Sequence, residues 1–236
     1  MKQSAAQLRR VLEAAGDPEK AVFHQRFFKT GPGEYGEGDR FRGIKVPVLR
    51  KLCREYQSLP TADVVSLLKS RYHEDRGLAL IILVRQFERG DDGDKKRVYD
   101  LYLANTKYIN NWDLVDCSAP NIVGGYLRGR SRAPIHRMAK SANLWERRIA
   151  ALATFHFIRR GEFDDSLRVA KTLLNDEEDL IHKAVGWMLR EIGSRDMAVE
   201  EKFLRLHCKT MPRTMLRYAI EKFPEPKRRR YLSGRV

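Results

Sequence analysis

Arg148-Ile-Ala-Ala-Leu-Ala-Thr-Phe-His-Phe157 places Ile149, Leu152, Ala153 and Phe157 at steps of three, one and four residues, which is the apolar stripe of an amphipathic helix. Four other segments can be laid over its opening five residues: Arg76-Gly-Leu-Ala-Leu80, Asp116-Cys-Ser-Ala-Pro120, Lys183-Ala-Val-Gly-Trp187 and Thr214-Met-Leu-Arg-Tyr218. In chain order, the five start 40, 32, 35 and 31 residues apart. Helix-pair repeats with periods of roughly 30 to 47 residues stack into solenoids with a concave binding surface. The spacing therefore predicts an all-α, HEAT-like helical-repeat solenoid, an α-α superhelix.

The punctuation agrees with short helices joined by tight turns. Pro18, Pro60, Pro134 and Pro212 stand where helices should start, and Gly90, Gly129, Gly161 and Gly193 where they should stop. Pro120 should break or restart a helix, with Ser118 placed to cap it. One repeat domain is expected over residues 1–224, followed by a basic tail over 225–236 that carries Lys227 to Arg230.

With 236 residues and 42% hydrophobic content, the chain has enough apolar side chains for a sizeable core. Its net charge is +15, from 46 Lys and Arg against 31 Asp and Glu, which favours a polyanionic partner, nucleic acid before an anionic membrane. Residues 121–160 hold nine Lys and Arg against Glu146 alone. More than half of the net charge thus sits there, and a basic concave face is expected in the middle of the array. The longest apolar run, Leu78 to Val84, is seven residues, far short of the ~20 that span a bilayer. The first ten residues include Lys2, Arg9 and Arg10 but no apolar core of a signal peptide. Cys53, Cys117 and Cys208 are odd in number and widely spaced, as suits a reducing compartment. A cytoplasmic, monomeric protein is expected, nucleoid-associated if bacterial.

Few local motifs carry chemistry. The stretch Thr30-Gly-Pro-Gly-Glu-Tyr-Gly-Glu-Gly-Asp-Arg-Phe-Arg-Gly43 lacks the ending of a P-loop and bears Glu34, Glu37 and Asp39, which repel phosphate. It reads as a loop between helices. The six histidines show no HExxH spacing, so no metal is expected. Trp112 and Asp116 share a helix face, as do Trp145 and Arg148, and Lys183, Trp187 and Arg190 form a third stripe. On burial tendency alone each tryptophan is a core residue with charges at its rim, and Trp145 is assigned to the core.

Three separated blocks, Asn111-Trp-Asp-Leu-Val-Asp116, Leu144-Trp-Glu-Arg-Arg-Ile-Ala150 and His182-Lys-Ala-Val-Gly-Trp-Met-Leu-Arg-Glu191, resemble the AlkD family of alkylpurine DNA glycosylases. The similarity runs from Asp17-Pro-Glu-Lys20 through Phe41-Arg-Gly-Ile-Lys-Val-Pro47 to about Pro224. The resemblance implies a HEAT-like fold and hydrolysis of the N-glycosidic bond of N3- and N7-alkylated purines in duplex DNA, without metal or cofactor. It also implies that the sugar and phosphates are held while the damaged base is not drawn into a deep pocket, unlike ordinary base flipping. A carboxylate, an arginine and two tryptophans surround the nucleotide in that family, and they fall on Asp116, Arg148, Trp112 and Trp187. Arg148, Lys183, Arg190, Lys45, Phe27 and Arg147 are then the expected DNA contacts. Lys45 stands where some members have Gln, and Phe27 where some have Tyr; both bear on lesion range and affinity.

The chemistry suits these residue types. An alkylated purine is already cationic and leaves as a neutral base, so the main task is to stabilise the sugar cation. A carboxylate at about 4 Å gains ~4 kcal/mol at an effective dielectric of ~20, roughly a thousandfold in rate. Asp116 also has the chemistry to orient or deprotonate water. The tryptophans offer electron-rich faces to the cation, and Arg148 a fork to a flanking phosphate. Helix geometry leaves Asp113 open as the carboxylate, because it points only about 60° from Asp116 around the axis. The family match places no lysine as a Schiff-base nucleophile, so base release without strand cleavage is expected. The rival readings are a HEAT-like nucleic-acid binder without catalysis and a protein-interaction scaffold, the latter a poor fit to +15. Neutralising about six phosphates predicts a log-log salt slope near −5.

Overall fold

The structure, a computed structural model, describes residues 3–236; Lys2 lies outside them. The chain is all-helical, and the only extended pairing among the described residues is an isolated bridge between Arg40 and Tyr72. It divides into two compact units, one running to Ser118 and the other from Ala119 to Val236. None of its described helices is long and apolar enough to cross a membrane.

The first unit contains α1 (Ala5–Ala14), α2 (Pro18–Phe27), α3 (Val46–Glu55), α4 (Thr61–Leu68), α5 (His73–Arg89), α6 (Asp92–Ala104) and α7 (Trp112–Asp116). Asp17 caps α2 by accepting from Lys20 N, with Pro18 at the first helical position. The apolar run Leu78–Val84 forms the middle of α5, where Leu78, Ala79, Leu80, Ile82 and Leu83 are buried. A helix apolar on nearly every side is stable only when surrounded, and α3, α4, α6 and α7 all pack on α5.

The glycine-rich stretch is a loop between α2 and α3. Its own carboxylates hold its backbone, Glu34 accepting from Gly31 N at 2.8 Å and Glu37 from Gly33 N at 2.9 Å. Glu74, in the first turn of α5, then accepts from Arg42 N, Gly43 N and Ile44 N at 2.9, 2.8 and 3.2 Å. Gly43 has φ +79°, and a Cβ there would lie 2.1 Å from the Asp17 carbonyl, so only glycine fits this crossing.

The second unit holds a π-helical turn (Pro120–Gly124), α8 (Gly125–Leu127), α9 (Ala133–Met138), α10 (Leu144–Ala153), α11 (Phe155–Ile158), α12 (Asp164–Thr172), α13 (Asp179–Gly193), α14 (Met197–His207), α15 (Arg213–Ala219) and α16 (Glu225–Leu232). α13 lies against α10, α14 and α15. It approaches α15 closely at Gly186, where a Cβ would stand 2.5 Å from the Met215 carbonyl. The repeated segment Lys183–Trp187 needs its glycine for packing.

Two local expectations change. Pro120 does restart helical backbone, but Ser118 is no cap: its hydroxyl donates to Leu114 O at 2.5 Å and meets the Tyr102 hydroxyl at 3.0 Å. The residues expected as a basic tail form α16, which is anchored by a buried Tyr231 against Phe223. Lys227 pairs there with Glu201, and Arg229 with Glu225 at 2.9 Å.

Candidate active site

In the first unit the site is built on α7. Asn111 caps this helix and accepts from Trp112 N at 2.8 Å, so the indole sits at the first helical position. Trp112 stacks on Phe28 (centroids 5.4 Å apart, planes 22°) and meets Phe27 edge-on at 6.1 Å. Phe28 in turn stacks on Phe41 at 5.0 Å and leans on His73 at 4.8 Å. Trp112 and Phe27, both expected at the site, are therefore in contact. Phe27 is 54% exposed, and it is among the residues, Lys45 included, that line an apolar cavity of about 530 Å³. Lys45 is exposed at the N-cap of α3.

Behind this aromatic layer lies a buried polar network absent from the sequence reading. His73 Nε2 contacts Asp113 Oδ2 at 2.7 Å, and Nδ1 faces Asp39 Oδ2 at 3.4 Å. Asp39 Oδ1 accepts from Arg76 Nη2 at 2.7 Å. Burial alone would lower the His73 pKa, but the charge of Asp113 and hydrogen bonds to Asp113 and Asp39 outweigh it, and the value rises to about 9. Asp39 is also buried, yet hydrogen bonding to His73 and the charge of Arg76 draw its pKa below the usual carboxylate range. The sequence marks only the α5 end of this network: His73, Glu74, Asp75 and Arg76 are four consecutive ionisable residues, separated from the apolar run of α5 by Gly77.

Of the two carboxylates that helix geometry had left open, Asp113 contacts His73 at 2.7 Å from the second position of α7. Asp116 is half-buried at the last position of α7, one turn from Trp112.

In the second unit Arg148 is buried on α10, and its Nη1 donates to Leu180 O in the first turn of α13. Trp145 is buried, as assigned. Arg147 donates to Asp176 at 2.6 and 3.2 Å and to the carbonyls of Ser141 and Ala142. Lys183, Trp187 and Arg190 share a face of α13. Lys183 pairs with Asp179 at 2.7 Å, Arg190 pairs with Glu221, and Trp187 Nε1 donates to Glu191 at 3.1 Å. The Trp187 ring lies 5.8 Å from Phe155, tilted by 51°. Arg147, Lys183 and Arg190 thus all have carboxylate partners within the protein.

Residues 8–223 match the family model described as DNA alkylation repair enzyme. The chain belongs to the DNA alkylation repair enzyme family. Among solved structures, one similar chain is titled "Predicted DNA alkylation repair enzyme from Enterococcus faecalis"; it is 16% identical, with a TM-score of 0.68 over 89% of this chain and 97% of that one. That likeness shows the same helical-repeat fold. A search of curated protein sequences finds no significant match. Membership of the DNA alkylation repair family gives the chain a DNA repair role and DNA as its substrate class, which accounts for the charge of +15.

His73 gives the first unit a defined pH response. Its pKa is about 6.5 when unfolded and about 9 when folded, so the stability that its charge contributes is complete below pH ~6.5 and is lost as pH rises through about 9. Urea denaturation from pH 6 to 10 should show this decline in the wild type. In His73→Gln the corresponding part of the slope should be absent; an unchanged slope would refute the assignment.

Proposed function

We propose that this DNA alkylation repair enzyme is a monofunctional DNA glycosylase that releases cationic N3- and N7-alkylated purines from duplex DNA without deep base flipping. The observation that carries this reading is the pairing of groups on α7: Asp116 is half-buried one turn from Trp112, whose indole Phe28 and Phe27 hold in place. A carboxylate and an electron-rich ring on one short helix are what a developing sugar cation requires.

In this reading Asp116 stabilises the oxocarbenium-like sugar and orients the attacking water. Trp112 offers its ring face to the developing cation, and the family resemblance assigns Trp187 to the sugar and Arg148 to a flanking phosphate. The proton inventory is simple: the base leaves neutral, water adds to C1′, and its proton passes to Asp116 or to solvent. No strand break follows, since no amine attacks the sugar. Alkaline cleavage should therefore be needed to reveal the abasic product.

The test is to incubate the protein with duplex DNA containing one N7-methylguanine and to measure free base by chromatography. Release well above the spontaneous rate is expected. Release no faster than in protein-free controls would leave a DNA-binding member without glycosylase activity.

A further inference from the structure

The nine cations of residues 121–160 are not equivalent once their partners are known. Arg132 pairs with Glu162 and Asp165, and Arg147 with Asp176. Arg128, Arg159 and Arg160 are exposed, and among the described residues no carboxylate lies within 4.0 Å of any of them.

Two of these arginines are nevertheless held in place by the protein. Arg159 lays its guanidinium on the Phe155 ring, 4.0 Å from the centroid, and Arg160 Nη1 donates to the His156 carbonyl. One repeat earlier, Arg130 stacks on Tyr126 at 4.5 Å and donates to the Tyr126 carbonyl at 2.9 Å. Both are aromatic-to-arginine pairs four residues apart, at the ends of α8 and α11, just before or after Gly129 (φ +70°) and Gly161 (φ +76°), which let the chain turn. Cations at helix C-termini are favoured by the carbonyl ends, and stacked guanidinium groups lose less freedom on binding.

His156 links the two helix ends. Burial first, then the charges of Arg160, Arg128 and Arg159, lower its pKa to about 4, so it stays neutral among three cations. Phe155 continues the line, lying 5.8 Å from Trp187 and 5.9 Å from the Arg195 guanidinium. The result is a strip of positive charge that ends beside a tryptophan assigned to the lesion.

We propose that Arg128, Arg159 and Arg160 form a phosphate-binding track along the ends of α8 and α11 and hold the DNA strand that leads to Trp187; its approach to the lesion rests on the glycosylase reading above. The ligand is the sugar-phosphate backbone, and the track reads no base. Lys183, Arg190 and Arg147 each have a carboxylate partner within the protein, so the track adds phosphate-facing cations to them.

The experiment measures the salt dependence of binding to an undamaged duplex, which needs no chemistry and so separates this inference from the glycosylase reading. Each phosphate contact contributes about 0.9 to the log-log slope. Arg128→Gln/Arg159→Gln/Arg160→Gln should therefore flatten the slope by about 2.7, while the triple lysine variant keeps it. A control of equal charge loss elsewhere, Lys96→Gln/Arg97→Gln/Lys171→Gln, should change it by less than about 1. Equal flattening in the control, or none in the glutamine variant, would overturn the track. So would binding to phosphatidylserine vesicles that the glutamine variant loses while its DNA slope stays intact, because the partner would then be a membrane surface.

Discussion

Asp116→Asn is expected to reduce N7-methylguanine release by about a thousandfold while leaving duplex affinity within about threefold of wild type. The rate effect follows from losing a unit negative charge about 4 Å from the sugar cation, ~4 kcal/mol at an effective dielectric of ~20. Affinity should change little because the backbone is held by cations elsewhere. Single-turnover release with saturating protein reads the first quantity, and titration of the same duplex reads the second. Asp113→Asn provides the contrast, since its carboxylate is bound to His73 at 2.7 Å. That variant should lose stability and keep most of its release rate per folded molecule. If Asp113→Asn abolishes release and Asp116→Asn does not, the carboxylate assignment on α7 is reversed.

Much of this was legible in the sequence, and the rest was not, for a physical reason. Helical period and proline placement are local properties, and Pro18, Pro60, Pro134 and Pro212 all stand at helix starts. The tryptophan and carboxylate on α7 were visible as a four-residue spacing. The Asp39–His73–Asp113 network was not, because its members are 34 and 40 residues apart and are joined only by the glycine-rich loop folding under Glu74. Net charge was misleading in a similar way. Composition counts Arg132, Arg147 and Arg159 alike, whereas carboxylates 29 to 33 residues downstream bind the first two. The tail was misread because four consecutive basic residues dominate it, while the single aromatic Tyr231 decides its packing.

Asp39→Ala should be the most destabilising single change in the first unit, at about 3–5 kcal/mol. Asp39 accepts from Arg76 at 2.7 Å and faces His73 at 3.4 Å, and all three side chains are at most 5% exposed. Removing it leaves both cations buried, His73 with Asp113 still at 2.7 Å and Arg76 without the Asp39 carboxylate. Asp39→Asn keeps the shape and one acceptor and should cost less. Adding Arg76→Met to Asp39→Ala should cost less than the sum of the two single changes, because the arginine is then no longer stranded. The pH dependence fixes the origin of the effect. Asp39 has a lowered pKa, so its contribution is present above the unfolded carboxylate value and is lost as pH falls through the folded one. His73 loses its charge as pH rises through about 9. The stability gap between wild type and Asp39→Ala should therefore be widest between those limits and narrow on both sides. Urea unfolding across pH 3 to 10 measures it. A gap under about 1 kcal/mol at pH 7, or one that does not vary with pH, would show that Asp39 holds the site by shape rather than by charge.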